Sequence, residues 1–297
     1  MIPDYPVFKS LELADREAVA AQTCRLPPYS DFEFGNLWSW NVKGEMALSA
    51  LYGNLVVRFT DYETGTPFLT FLGTSAANKT ARTLLAGSAP GCDACLRLVP
   101  EIAAKALDPD EFQVEEERDH LDYVCALDRH LEYAEPCLKS QRRQLAHFLR
   151  SFPRAERVAL DLRTRETREE IEDLWRRWRE KKTRPETSEP EAHRRLCEAA
   201  HALPLAAIGI KIVGRLVAFH VASLPEGDCA HALFAKADTA YRGVYAALDS
   251  LAARDLIARG YTRMNVQQDL GQETLRSAKL ALRPIEALRK YRVERRS

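Results

Sequence analysis

The stretch NVQQDLGQETLRSAKLALRP, residues 265–284, spaces Gln272, Arg276, Lys279 and Arg283 four, three and four apart. That spacing puts an amide and three cations on one helical face. Cations so arranged can bind an anion or stabilise an oxyanion as it forms. A solvated surface stripe has the same pattern. Two features favour a site: Lys279 sits among small and apolar residues (SAKLAL), and the helix follows the strand-like run YTRMNVQ. Asp269 is placed to cap this helix, with Gln272 at the box position. Leu275, Ala278 and Leu282 should form its buried side.

Other chemistry-bearing patterns are weaker. Gly73-Thr-Ser-Ala-Ala-Asn-Lys79-Thr80 approaches a P-loop but has Asn78 where that loop needs glycine, so a plain strand-to-helix turn is expected. Ala240-Tyr241-Arg242-Gly243-Val244-Tyr245 lies where a CoA-dependent acetyltransferase holds pyrophosphate on backbone N–H groups. Tyr245 takes the first glycine position there, and Gly243 is one step out of register, which argues against CoA. Cys92 and Cys95 form a CxxC without a second ligand pair, so no metal is expected. His220 and His231 alternate within strands and read as satisfied sheet residues. Trp175 and Trp178, and Phe34 near Trp38, Trp40 and Asn36, read first as packing.

The elements that position these residues follow from pattern. In the first half a helix (LELADREAVAAQ) precedes a hairpin turning at Gly53-Asn54 and the strand PFLTFLG. Helices over ANKTARTLLAG and CDACLRLVPEIAAKAL and a strand over FQVEEERDHLDYVCAL complete it. In the second, a basic helix (LKSQRRQLAHFLRSFP), the strand ERVALDLR and two further helices precede a hairpin turning at Gly214-Arg215. The strand CAHALFAKA, a long helix stopped by Gly260 and the strand YTRMNVQ close it. This order is that of an N-acetyltransferase-like (GNAT) domain, and the first half repeats it weakly. The expected fold is therefore α+β: tandem GNAT-like domains over 1–135 and 136–297, each a mostly antiparallel sheet flanked by helices.

The 297 residues suffice for two domains and are 46% hydrophobic and 29% charged. Residues 1–135 carry 11 Lys and Arg against 22 Asp and Glu, and residues 136–297 carry 32 against 21. The basic half could face RNA or an anionic lipid surface, or the halves could simply attract one another. No apolar run reaches about 18 residues, so no transmembrane helix is expected. MIPDYPVFKS has no secretory pattern, and seven scattered cysteines suit reduced thiols, so a cytoplasmic protein is expected.

Three blocks resemble the phosphatidylglycerol lysyltransferase C-terminal-domain family, in its free-standing soluble members. Asn265, Asp269, Leu270, Gly271, Leu275, Arg276, Ala278, Lys279, Leu280 and Pro284 match its late motif. Ser30, Asp31, Phe34, Asn36, Leu37 and Trp40 match an early one, and Asp122-Tyr123-Val124 with Leu138, Arg142 and Phe148 match between them. The late motif's acid is Gln267 or Gln268 here, and Ser140 to Gln144 replace a Lys-Lys-Arg-Asn-His run. The resemblance implies transfer of an aminoacyl group from aminoacyl-tRNA to a lipid headgroup or small-molecule acceptor, without a cofactor and with peripheral membrane contact as an option.

On that reading Lys279 and Arg276 stabilise the tetrahedral oxyanion, and Asp269 holds the α-ammonium, acts as base, or only caps the helix. Asn265, Gln268, Lys236, Tyr241, Asn36 and Arg142 are the expected substrate-binding residues. The alternatives are an acyl-CoA-dependent N-acyltransferase and a non-catalytic GNAT-fold module that binds RNA or another ligand.

Overall fold

The structure, a computed structural model, describes residues 1–61, 65–87, 94–180 and 188–296. Its elements in chain order are β1 (Lys9–Ser10), α1 (Arg16–Thr23), α2 (Phe34–Trp40), β2 (Ala47–Leu51), β3 (Asn54–Thr60), β4 (Pro67–Leu72), α3 (Ala77–Ala86), β5 (Leu96–Pro100), α4 (Glu101–Ala104), β6 (Phe112–Glu116) and β7 (Asp122–Ala126). There follow α5 (Lys139–Ser151), β8 (Glu156–Ala159), α6 (Arg165–Glu180), α7 (Glu189–Glu198), β9 (Leu205–Ile212), β10 (Arg215–Ser223), β11 (Cys229–Ala237), α8 (Val244–Ala258), β12 (Arg263–Asn265), α9 (Glu273–Ala281), β13 (Glu286–Leu288) and β14 (Lys290–Arg295).

Two seven-stranded sheets form, in the orders β1-β2-β3-β4-β5-β14-β6 and β8-β9-β10-β11-β12-β7-β13. Each holds an antiparallel meander (β2-β3-β4 and β9-β10-β11), then one parallel partner, β5 or β12, reached through a helix. Each then accepts a strand from far along the chain, β14 or β7, on the outer side of that partner. The expected pair of mostly antiparallel, helix-flanked sheets is what the chain forms. The first core centres on Val56, Phe71, Leu84, Leu96 and Val99, and the second includes Phe148, Ile210, Val217 and Leu248.

The strand exchange changes the division of the chain. One compact unit comprises Met1–Asp122, Gln268–Gln272 and the residues from Ala287 onward; the other comprises Tyr123–Gln267 and Glu273–Glu286. The contacts thus divide the chain at 122/123, not at 135/136, and return two late segments to the first unit. The backbone ladder of β14 with β5 and β6 holds one of them there.

Both hairpins form, each turning one residue earlier than the sequence suggested. The turns are Tyr52-Gly53 (φ 50° and 83°) and Val213-Gly214 (φ 51° and 74°). A two-residue turn with positive φ at both centres places its glycine second, not first. The helix expected over 92–107 is instead β5 followed by the short α4, because Leu96, Leu98 and Val99 are drawn into the sheet. The strand expected over 112–127 is two strands separated by a 3-10 turn at Arg118–His120. Gly260 (φ 93°) follows the end of α8, as expected of a helix stop.

Among the described residues no helix is long and apolar enough to cross a membrane. Cys92 of the CxxC lies outside the described residues, while Cys95 is buried. No group of three or more His, Cys, Asp or Glu among the described residues could hold a metal ion.

Candidate functional site

In the first unit, chemistry collects around a cavity of about 80 Å³ lined by Asp31, Asn36, Trp40, Arg97, His120 and Gln268, among others. Two predicted residues, Asn36 and Gln268, meet here. Asn36 is fixed in the first turn of α2: its amide N–H donates to the Glu33 carboxylate (2.8 Å) and its side chain donates to the Ser30 carbonyl (3.0 Å). The first of these is an ordinary N-cap, which places the Asn36 side chain without further help.

Behind the cavity wall lies a buried charge cluster. Lys290, fully buried on β14, makes ion pairs with Asp122 (2.8 Å) and with Asp31. Asp122 also accepts from the Ser30 amide and hydroxyl, both at 2.7 Å. Burial alone would raise Asp122, but the Lys290 charge and the Ser30 donors outweigh it and hold the carboxyl below its ordinary range. Burial raises Asp31 above that range, the neighbouring Asp122 charge adds to the shift, and Lys290 only partly offsets it. Burial would lower Lys290, and the two carboxylates reverse this, so the ammonium is held in its charged form.

Gln268 bridges this cluster to a histidine. Its Nε2 donates to Asp31 Oδ1 at 2.6 Å, and its Oε1 lies 3.0 Å from His120 Nδ1. Because an ionised Asp31 only accepts, the amide must face it with nitrogen, and the oxygen then requires a proton on His120 Nδ1. Where the family motif carries an acid, glutamine lets two neighbouring groups be satisfied without bringing a second carboxylate against Asp31.

Asp269 is fully buried in the same unit, but it does not cap α9, whose first residue is Glu273. Its Oδ1 accepts from the Gly271 amide (3.0 Å), its carbonyl accepts from the Gln272 amide (2.9 Å), and Arg118 pairs with Oδ2 at 3.2 Å. The carboxylate therefore organises the turn before the helix. The expected buried side of α9 is absent too: none of its residues is buried, and Leu280 is exposed.

In the second unit the late segment sits where two parallel strands part. Pairing between β11 and β12 ends at His231 and Asn265, while β11 continues to Ala237. Asn265, fully buried, accepts the Gln267 amide on Oδ1 at 2.6 Å, and Gln267 (φ 62°) donates from Nε2 to the Ala232 carbonyl at 2.8 Å. Lys279 on α9 donates to the Val266 carbonyl. Asn265 and Lys279 thus meet at the end of β12 and the start of the turn, and the half-buried Arg276 lies one turn earlier on α9.

The other predicted residues of this unit have packing partners. Arg142 donates to the Tyr133 (3.0 Å) and Ala134 (2.7 Å) carbonyls, so it ties α5 to the preceding loop. Lys236 pairs with Glu189 (2.8 Å) and lies over the Trp178 and Trp175 rings, 4.4 and 5.0 Å from their centroids. Tyr241 meets Phe152 edge-on at 5.2 Å.

The acetyltransferase-like turn before α8 is built for packing. A Cβ on Gly243 (φ 86°) would stand 2.2 Å from the Gln144 carbonyl oxygen, so glycine is required by the approach of α5. The Tyr245 hydroxyl accepts the Ala237 amide at 3.3 Å. The near P-loop residues are likewise engaged in structure: Thr80 accepts from Asn54 (2.8 Å), Asn78 accepts the Asp108 amide (2.7 Å), and Lys79 lies over the Tyr52 ring at 4.3 Å.

Sequence reasoning missed Lys290, His120, Arg97 and the roles of Asp31 and Asp122. The available signal was Asp31, which lies five residues before Asn36 in a matched motif.

Comparison with known proteins places these features. A conserved protein of unknown function from Bacteroides thetaiotaomicron has a similar structure, with a TM-score of 0.85, 24% identity and complete coverage of both chains. The C-terminal domain of a putative lysylphosphatidylglycerol synthetase from Agrobacterium fabrum aligns with a TM-score of 0.64 and 13% identity, over 95% of this chain and 92% of that one. A tandem GNAT protein from the clavulanic acid biosynthesis pathway aligns with a TM-score of 0.51 and 13% identity, over 97% and 98%. At these identities the likeness is one of fold, which is tandem GNAT-like. No match is found among curated proteins. The family described as phosphatidylglycerol lysyltransferase, C-terminal, matches residues 24–294, and with nearly the whole sequence inside that match, the chain belongs to this family.

Proposed function

We propose that the chain is an aminoacyltransferase that moves an aminoacyl group from aminoacyl-tRNA to a lipid headgroup or a small-molecule acceptor. The family match over residues 24–294 carries this reading. The geometry supports it by elimination: Gly243 and Tyr245 fill with packing the turn that a CoA pyrophosphate needs, which argues against an acyl-CoA donor. The excess of Lys and Arg over residues 136–297 suits a polyanionic donor or an anionic lipid surface.

In this reaction the acceptor hydroxyl oxygen attacks the ester carbonyl of the aminoacyl-tRNA and gives up its proton. The tetrahedral oxyanion collapses, and the ribose oxygen leaves and takes a proton. Lys279 supplies charge to the oxyanion. An ammonium has three donors, and the Val266 carbonyl fixes the direction of one. Arg276, one turn earlier on α9, contributes a planar fork suited to an oxyanion or a phosphate. The protein works in the cytoplasm, with peripheral membrane contact if the acceptor is a lipid.

A second reading, a GNAT-fold module that binds charged tRNA without turning it over, is favoured by one observation. Gln267 and Gln268, where the motif has its acid, are both engaged in structural hydrogen bonds. Incubating the chain with labelled aminoacyl-tRNAs and cell extract separates the two. Label leaving one tRNA species for a new acceptor supports transfer, and tRNA binding with every label retained rules it out in favour of the module.

A further inference from the structure

The elements that flank α5 pair their cations with acids: Arg129 with Glu135, Arg157 on β8 with Asp255 (2.7 Å), and Arg254 on α8 with Glu132 (3.4 Å). α5 itself differs. From Pro136 through Ala155 the chain has no Asp or Glu. Lys139, Arg143, His147 and Arg150 follow one another at intervals of four, four and three, which sets them along one line of the helix. Lys139, Arg143 and Arg150 are exposed, and so is Arg154 just past the helix end. Among the described residues, Lys139, Arg143, Arg150 and Arg154 have no ion-pair partner.

Two contacts hold this line in place. Arg142 ties the start of α5 to the Tyr133 and Ala134 carbonyls. Further along, α5 approaches the turn before α8 so closely that Gly243 can carry no Cβ against the Gln144 carbonyl. The exposed Arg242, next to that glycine and likewise without an ion pair among the described residues, therefore has its backbone beside the middle of the line. From Lys139 to Arg150 the line runs about 16 Å, with its members about one helical turn apart. That is close to the interval at which phosphates follow one another along a nucleic-acid strand, and Lys and Arg contacts to phosphate oxygens position a strand without reading its bases. A bilayer surface would need an exposed apolar face as well as charge. The apolar side of α5 is already packed: Leu145 and Phe148 lie in the core shared with α8, and Phe152 meets Tyr241. Leu149 is the one large apolar side chain exposed on α5.

We infer that the line of Lys139, Arg143 and Arg150, widened by Arg154 and Arg242, docks the phosphate backbone of an RNA strand. A row of cations favours a linear polyanion, because each phosphate it neutralises releases condensed counter-ions. That the strand is tRNA rests on the aminoacyl-tRNA reading, which this surface deepens; the side chains themselves specify a phosphodiester backbone and no base.

The test measures binding of the whole chain to uncharged tRNA across a salt series, where no turnover is involved. The parent should bind, and the logarithm of its affinity should fall with the logarithm of salt at a slope of about −3 to −4. Arg143→Glu/Arg150→Glu should weaken binding by about 100-fold or more at low salt and flatten the slope by about two. Arg165→Glu/Arg176→Glu makes the same charge change on α6, where both arginines have acidic partners, and should weaken binding by less than about tenfold. Arg143→Gln/Arg150→Gln should act in the direction of the α5 reversal by a smaller factor, and takes its place if the reversed pair does not fold. The surface is refuted if the parent does not bind tRNA, if the folded α5 variants bind as the parent does, or if the α6 variant loses as much. It is also refuted if the α5 changes abolish binding to phosphatidylglycerol vesicles and leave tRNA binding intact. Loss of tRNA in the α5 variants, with no label transferred by the parent, would remove the transferase reading and keep this surface. Transfer by a chain whose tRNA affinity ignores the α5 changes would do the opposite.

Discussion

Two lysines, one in each unit, are held in opposite ways. Lys290 lies on a strand inside a sheet, fully buried, with two carboxylates against it. Lys279 lies on a helix that buries none of its residues, with its ammonium on a backbone carbonyl. An enclosed ion pair defines packing around itself, and removing one partner strands the other. A half-exposed lysine on a surface helix can be lost without that penalty. The comparison therefore assigns Lys290 to stability and leaves Lys279 as the group proposed for the reaction.

The largest expected effect comes from Lys290→Met. It leaves Asp31 and Asp122 enclosed without their cation and should lower unfolding stability by about 3–5 kcal/mol in denaturant titrations. The loss should shrink as pH falls, beginning above the ordinary carboxylate range, because enclosed carboxylates without their cation take up protons early. Retained stability at neutral pH would show that the cluster is not the anchor described here.

Lys279→Ala should act on the other axis. Transfer should fall by about 10²–10³-fold, the range for losing one oxyanion donor, while stability changes by about 1 kcal/mol for one lost hydrogen bond. Unchanged transfer in a reconstituted assay would remove Lys279 from the site. Equal losses of stability in the two lysine variants would erase the contrast between the units.

Gly243→Ala tests whether the degenerate turn serves packing. Alanine at φ 86° and a Cβ 2.2 Å from the Gln144 oxygen should together cost about 2–4 kcal/mol in stability. The parent protein should show no thermal shift with CoA. A clear CoA shift would restore the acyl-CoA alternative.

The difference between the units also explains what the sequence made legible. Apolar runs flanking a turn glycine located the meander strands β9, β10 and β11, since most of their residues are buried. The cationic stripe of α9 was visible because helical spacing groups it. Lys290 was hidden for the converse reason. A register irregularity between Tyr291 and Val293 puts both Lys290 and Val293 inside, three residues apart, which strict alternation forbids. The return of β14 to the first sheet was equally invisible, because pairing with a strand some 190 residues earlier leaves no local signal. Asp269 was misread because a buried Asx turn and an N-cap use the same residue types at nearly the same offset.

The smallest effects concern acid, and they pull in opposite directions within the second unit. Burial pushes His220 on β10 down to about 4, with Asp255 partly opposing, and burial likewise lowers His193 to about 4. A histidine lowered from about 6.5 contributes stability above that value and loses it as pH falls toward the folded value, roughly 2 kcal/mol each at pH 5. Burial pushes Asp249 on α8 up to about 7. A carboxyl raised in the folded state takes up its proton earlier than the unfolded chain does, so it adds stability as pH falls from about 7 toward 4. Asp249 is only partly buried by surface area, so its contribution is the smaller, about 1 kcal/mol. His220→Asn should therefore flatten the fall in stability between pH 7 and 5, and Asp249→Asn should steepen it. The readout is the slope of unfolding free energy against pH, which separates titration from any general loss of packing. Parallel slopes in the parent and both variants would mean that neither group is enclosed as described.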